Sequence, residues 1–224
     1  MYYESIQFIL EFIGTTAFAI SGALLGVRRS MDVFGTMVLG LVTAVGGGMI
    51  RDLTLGITPP AAFTDSIWTL IAVVVSLLVF FSFYRRGDHL NSRFLITFEK
   101  YLVFFDALGL AAFTIVGMNT AARIGYVNQH FLILFCGMAT GIGGGIIRDL
   151  LAGIVPFVFI RQIYAVASFF GGILYLLTYQ SLGPSIAMIL GFTGVLVVRL
   201  ISYMKKWNLP RVIVEDIEEG RQGQ

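Results

Sequence analysis

Apolar residues gather along this chain into seven stretches, each about as long as the 20 or so residues that a membrane-spanning helix needs. They run over Ile6–Val27, Val33–Ile57, Ile67–Tyr84, Tyr101–Ala121, Phe131–Phe157, Ile163–Tyr179 and Pro184–Met204. The polar breaks between them are short: Arg28 to Asp32, Pro59 to Asp65, Arg85 to Lys100, Arg123 to His130, Val158 to Gln162 and Gln180 to Gly183. Trp68, Tyr84, Tyr101, Tyr126, Tyr179, Tyr203 and Trp207 fall near the ends of the stretches, where amphipathic rings favour the membrane interface. The pattern predicts an all-α integral membrane protein with seven transmembrane helices.

Within this pattern one phrase occurs twice. Thr43-Ala-Val-Gly46-Gly47-Gly48-Met-Ile-Arg51-Asp52 returns, 97 residues later and without a gap, as Thr140-Gly-Ile-Gly143-Gly144-Gly145-Ile-Ile-Arg148-Asp149. The match continues to Pro59 and Pro156. Upstream, Glu11 to Gly22 aligns with Asp106 to Gly117 at an offset of 95. Spans one to three therefore correspond to spans four to six. Three is odd, so the two copies cross in opposite senses, which defines an inverted repeat about an axis in the membrane plane. The expected units are residues 5–84, residues 101–180, a seventh helix over 184–205 and a polar cytoplasmic tail over 206–224.

Composition agrees. The 224 residues are 57% hydrophobic and 12% charged, about half the 25% usual in soluble domains. A net charge of +2 says little about partners, and no nucleic-acid partner is expected. The single cysteine, Cys136, excludes an intramolecular disulfide and fits no metal-site spacing, so neither a metal nor a cofactor is expected. The N-terminus has no basic region ahead of its long apolar run and does not read as a signal peptide. Arg28, Arg29, Arg85, Arg86, Arg93, Lys100 and Arg161 fall on one side with Lys205, Lys206, Arg211 and Arg221, whereas the other side holds only Arg123. This asymmetry predicts an external N-terminus and a cytoplasmic C-terminus.

Three consecutive glycines disfavour a regular helix, so spans two and five are expected to be broken at Gly46–Gly48 and Gly143–Gly145. In lipid a break survives only where the freed backbone groups meet protein, water or a ligand. Paired breaks in an inverted repeat point to a translocation site or hinge. The alternative is close helix packing, the use assigned here to Gly22, Gly26, Gly137 and Gly141. Arg51, Asp52, Arg148 and Asp149 are charges in or near the membrane, where such residues usually face a cavity or a partner. Adjacent helical residues diverge by about 100°, so each arginine need not pair with its own aspartate. Glu11 lies at a depth similar to Arg51, and Asp106 to Arg148. Two acid–arginine clusters, one per side, are the expectation; they would serve either as static bridges or in gating.

Other polar residues carry less. Thr43, Thr140, Ser21 and Asn119 are candidates to line a pore, although helix-to-helix hydrogen bonding is the commoner use. Phe18 and Phe113 occupy matching positions and are candidates for a constriction. Arg199, near the end of span seven, is expected to snorkel. Gly141-x-Gly143-x-Gly145 lacks the strand–helix context of a nucleotide loop. The Gly-Gly-x-x-x-Arg-Asp-Leu phrase also resembles one in soluble tRNA nucleotidyltransferases, but their paired metal-binding carboxylates are missing. An enzyme is not expected.

The doubled Gly-Gly-Gly-x-Ile-Arg-Asp phrase, on seven spans of this total length, resembles the bacterial UPF0126 membrane proteins, a family similar in fold to the trimeric intracellular cation (TRIC) channels. The resemblance covers roughly residues 5–205. It implies a homotrimer in a bacterial or archaeal inner or plasma membrane, surrounded by membrane lipids. Each protomer would hold one pore, lined by spans two and five kinked at Gly46–Gly48 and Gly143–Gly145, and conduct potassium and sodium. The Lys-Glu-Val lipid-binding motif of the animal channels is absent from this sequence. Members of the bacterial family are also described as glycine transporters, which leaves a carrier of glycine or another small amino acid as the alternative.

Overall fold

The computed structural model describes residues 2–85, 92–160 and 163–207. Arg86, His89, Arg161 and the tail from residue 208 onward, with Arg211 and Arg221, lie outside the described residues. Seven long helices carry the fold: Tyr2–Arg28 (α1), Val33–Thr54 (α2), Ser66–Tyr84 (α3), Ser92–Ala121 (α4), His130–Leu151 (α5), Tyr164–Leu182 (α6) and Pro184–Met204 (α7). All seven are long and apolar enough to cross a membrane. Large apolar residues such as Leu78, Phe131 and Leu177 lie exposed on the outside of the helices.

Local chemistry sets the ends. Asp32 caps α2 by accepting from the Gly35 amide at 2.7 Å, and Asp65 caps α3 through the Ile67 amide at 3.3 Å. Both glycine-bearing helices stop with the same C-terminal device. Gly56 and Gly153 take left-handed φ values of 71° and 66°, and the next amides, Ile57 and Ile154, return to the carbonyls of Asp52 and Asp149 at 2.8 and 3.0 Å. Spans two and five therefore end at Thr54 and Leu151, short of the Ile57 and Phe157 expected from hydropathy. Each is followed by one short helical turn, Ala61–Thr64 or Phe157–Ile160. The fourth span starts at Ser92, earlier than the expected Tyr101.

The expected breaks at the triple glycines do not occur. α2 and α5 are continuous helices through Gly46–Gly48 and Gly143–Gly145. The glycines are there for contact. A Cβ on Gly47 would overlap the Thr140 carbonyl of α5, and one on Gly144 would overlap the Thr43 carbonyl of α2. The methyl tip of Ile147 lies 2.9 Å from where a Gly46 Cβ would be, and the tip of Ile50 lies at the same 2.9 Å from Gly143. Backbone meets backbone at this crossing, which only a residue without a side chain allows.

The same reciprocity orders the neighbouring pairs. α1 packs on α2 at Gly22 and Gly26, and α4 on α5 at Gly117, Gly137 and Gly141. α1 and α4 meet through Phe18 over Gly109 and Phe113 over Gly14, and the two rings touch with centroids 5.3 Å apart. α3 leans on α1 and α2, while α6 leans on α5 and α4. α7 has no counterpart in the first half; it packs against α6 and α4.

Gly47→Ala and Gly144→Ala should each lower stability by about 1–3 kcal/mol, because the new methyl has no room to be accommodated. Gly48→Ala, whose Cβ would meet only an Arg51 nitrogen at 3.8 Å, should be neutral or stabilise by up to about 1 kcal/mol through helix propensity. Unfolding midpoints in detergent, compared across the three variants, check the ordering.

Candidate functional site

Seven spans put the chain ends on opposite faces, here the N face, where α1 begins, and the C face, where α7 ends. The Arg-Asp pairs lie at the C-terminal ends of α2 and α5, so one pair belongs to each face. In both, the arginine binds its own neighbour, contrary to the expectation from helical spacing. Arg51 Nε donates to Asp52 Oδ1 at 2.7 Å, and Arg148 Nε donates to Asp149 Oδ1 at 2.8 Å. The guanidinium curls back along its long stem, so the 100° offset between the Cα positions is no obstacle. The second carboxylate oxygen then holds the following turn: Asp52 Oδ2 accepts from the Ala61 amide at 2.9 Å, and Asp149 Oδ2 from the Phe157 amide at 2.8 Å. Each aspartate thus ties an arginine to the loop that leads into the next span.

Beyond this shared core the faces differ. On the C face Arg148 is wholly enclosed. Its Nη1 donates to Asp106 Oδ1 of α4 at 2.7 Å and to Ser21 Oγ of α1 at 2.5 Å. The Phe157 ring covers its Cζ at 5.3 Å, and the Tyr164 hydroxyl donates to the same Asp106 oxygen at 3.4 Å. The acid–arginine cluster expected from Asp106 and Arg148 is present, and both residues are buried.

On the N face Arg51 borders a cavity of about 270 Å³ together with Glu11, Thr15, Asp52, Asp65, Trp68 and Phe113. Glu11 is half-buried and shares this cavity with Arg51, but its carboxylate accepts from Gln7 Nε2 at 2.8 Å. Among the described residues the ion pair of Arg51 is with Asp52. Val116 stands in the N-face wall at the repeat position that Ser21 fills on the C face, so Arg51 has no hydroxyl to match that of Ser21.

Several candidate residues turn out to be structural. Thr43 and Thr140 are buried, and each hydroxyl bonds the carbonyl four residues back, Leu39 or Cys136, at 2.5 Å. Ser21 Oγ accepts from Arg148 Nη1. Asn119 joins helices, donating to Gln7 at 2.5 Å and accepting from Tyr175 at 3.2 Å. Phe18 is buried, and Phe113 forms part of the cavity wall. Arg199 does not snorkel: it is 3% exposed, with its guanidinium 4.8 Å over the Tyr164 ring. Sequence reasoning missed Tyr164, which no motif marks. It also missed the loop-holding role of Asp52 and Asp149, for which Gly56 and Gly153 were a readable helix-stop signal.

An inverted pair of three-helix units, crossed at glycines and carrying a buried charge cluster toward each face, defines a multi-pass membrane transport protein. Both halves match the family model described as glycine transporter, over residues 8–84 and 103–180. The chain belongs to that family, whose curated relatives are designated UPF0126 membrane proteins. It is 43% identical to the UPF0126 membrane protein of Deinococcus radiodurans across 90% of this chain and 89% of that one. Its fold is similar to that of a prokaryotic TRIC channel crystallised in 0.5 M KCl, with a TM-score of 0.82, 32% identity and coverage of 93% and 100% of the two chains. The TRIC trimeric intracellular cation channel orthologue of Rhodobacter sphaeroides is similar at a TM-score of 0.80 and 31% identity, over 91% and 100%.

Removing Asp106 by Asp106→Ala should cost about 3–5 kcal/mol, because it strips a partner from a fully buried arginine. Glu11→Ala should cost less than about 1 kcal/mol, since the Glu11 carboxylate binds Gln7 and sits on a cavity wall while Arg51 pairs with Asp52. Denaturant or thermal unfolding of the purified protein separates the two.

Proposed function

We propose that the protein is a monovalent cation channel, for potassium and also sodium, with one path in each protomer lined by α2 and α5. Similarity to TRIC channel structures along more than nine-tenths of the chain carries this reading. The N-face cavity suits its mouth: the carboxylates of Glu11, Asp52 and Asp65 outnumber the one guanidinium of Arg51. Such a cleft concentrates cations. The protomers assemble as a homotrimer in the lipid bilayer, as the name of the Rhodobacter sphaeroides relative says of that protein. The N face is external and the C face cytoplasmic, as the eleven-to-one split of basic residues implies.

A second reading, a carrier of glycine or another small amino acid, is supported by the description of the family model and by one observation. Among the described residues a cavity opens at the N face while its repeat counterparts Asp106, Ile142, Arg148 and Asp149 are buried, as one state of a carrier requires, whereas a conducting channel needs a continuous wet path. Purified protein in planar bilayers discriminates between the two. Discrete potassium-carried current steps support the channel. Saturable glycine counterflow into liposomes without such steps supports the carrier and overturns the first reading.

If cations enter by the N-face cavity, Glu11→Gln should reduce unitary potassium conductance about twofold at 0.05 M salt. At 1 M salt, where the screening length falls to about 3 Å, the effect should vanish. Unchanged conductance at 0.05 M salt would place Glu11 outside the entry path.

A further inference from the structure

The repeat predicts a second cavity that this state does not show. Glu11, Val45, Arg51 and Asp52 border the N-face cavity. Their repeat partners are Asp106, Ile142, Arg148 and Asp149, and all four are buried, the most exposed of them, Ile142, at only 8%. What fills the mirror volume is Tyr164. Its side chain is buried at 2% exposure, and its hydroxyl comes within 3.1 Å of where a Gly145 Cβ would stand and 3.4 Å of Asp106 Oδ1. At the matching position of the first repeat, Gly48, a Cβ would meet only the end of Arg51. The nearest aromatic residue at the start of α3, Trp68, packs its ring on Phe8 at 5.2 Å and stays at the cavity edge.

Tyr164 is held from behind by the seventh helix. Arg199 of α7 lies 4.8 Å over its ring, buried, inside the contact between α6 and α7. The first repeat has no such helix, so nothing equivalent presses an aromatic ring into the N-face cavity. The asymmetry between the faces therefore has a residue-level source.

We propose that Tyr164 is the C-face plug of the solute path and that Arg199 is the positioning residue that keeps it seated. In the alternative state the ring leaves, and a C-face vestibule opens beside Asp106, Ile142 and Arg148, the image of the cavity beside Glu11, Val45 and Arg51. The buried Asp106 Oδ2, which has no hydrogen-bond partner among the described residues, then faces that vestibule as its cation- or water-binding oxygen. The inference rests on a path lined by α2 and α5, but not on which solute uses it.

Thiol accessibility tests the plug without requiring transport. Val45→Cys and Ile142→Cys are placed singly in full-length protein carrying Cys136→Ser. Each is then exposed in detergent to a small water-soluble methanethiosulfonate, and modification is timed by mass spectrometry. Position 45 should react quickly and position 142 slowly. Adding Tyr164→Ala should speed reaction at 142 about tenfold or more, as a shift from a rarely to a mostly open face requires, and leave 45 unchanged. Tyr164→Phe, which keeps the ring, should keep 142 protected. Arg199→Gln should speed 142 by a smaller factor, and it serves as the primary variant if Tyr164→Ala does not elute as folded protein. Unchanged protection at 142 in the folded variants overturns the proposal, and so does an equal gain at 45 and 142, which would mean general loosening. Current and counterflow measurements bear on the cargo alone, so failure of the channel reading is distinguishable from failure of the plug.

Discussion

Everything in this fold hangs on two backbones touching. Where α2 crosses α5, the Thr43 and Thr140 carbonyls approach so closely that Gly144 and Gly47 have no space for a methyl group. In lipid there is no hydrophobic force to press helices together, so association depends on close van der Waals fit and on small residues. A crossing built from glycine on both sides, with Ile50 and Ile147 each reaching over the other helix's glycine, is self-complementary. It fixes the axis of the inverted repeat. α1 and α4 then follow through the equally reciprocal exchange of Phe18 and Phe113 over Gly109 and Gly14.

The crossing also determines where the charges fall. Arg51 and Arg148 come one turn past the glycines, so the close approach that holds the helices carries one guanidinium toward each face. A charge at that depth is costly unless partnered. The two clusters meet the cost differently. Arg148 gathers Asp149, Asp106, Ser21 and the Phe157 ring, whereas Arg51 keeps Asp52 and leaves the rest of its surroundings to a cavity. Because Asp52 and Asp149 also bind the amides of Ala61 and Phe157, movement of either arginine is felt by the loop leading to α3 or α6.

Much of this was written in the chain. The seven spans, the inverted repeat and the Asp106–Arg148 cluster were all legible, because hydropathy and exact repetition report long elements and their symmetry. The use of the triple glycines was not. Helix propensity argues for a break, but it describes an isolated helix in water, and at Gly47 and Gly144 a tertiary contact overrides it. Each arginine's grip on its neighbouring aspartate was hidden because Cα geometry ignores the reach of a long side chain. Tyr164 and Arg199 were invisible for another reason. They lie where the second repeat departs from the first, and a reading by repetition cannot see what is not repeated.

That departure is what gives the molecule a direction. In a strict inverted repeat, the state open to one face and the state open to the other are images of each other and equal in free energy. Any preference must come from residues that break the equivalence, and a difference of about 1.4 kcal/mol already makes one state tenfold more populated. Here the unmatched features act on one face. Ser21 stands at the repeat position of Val116, Asp106 is one methylene shorter than Glu11, Tyr164 occupies the mirror volume, and α7 backs it with Arg199. The seventh helix is therefore more than an appendage to the repeat: it converts a symmetric scaffold into one with a closed face and an open face.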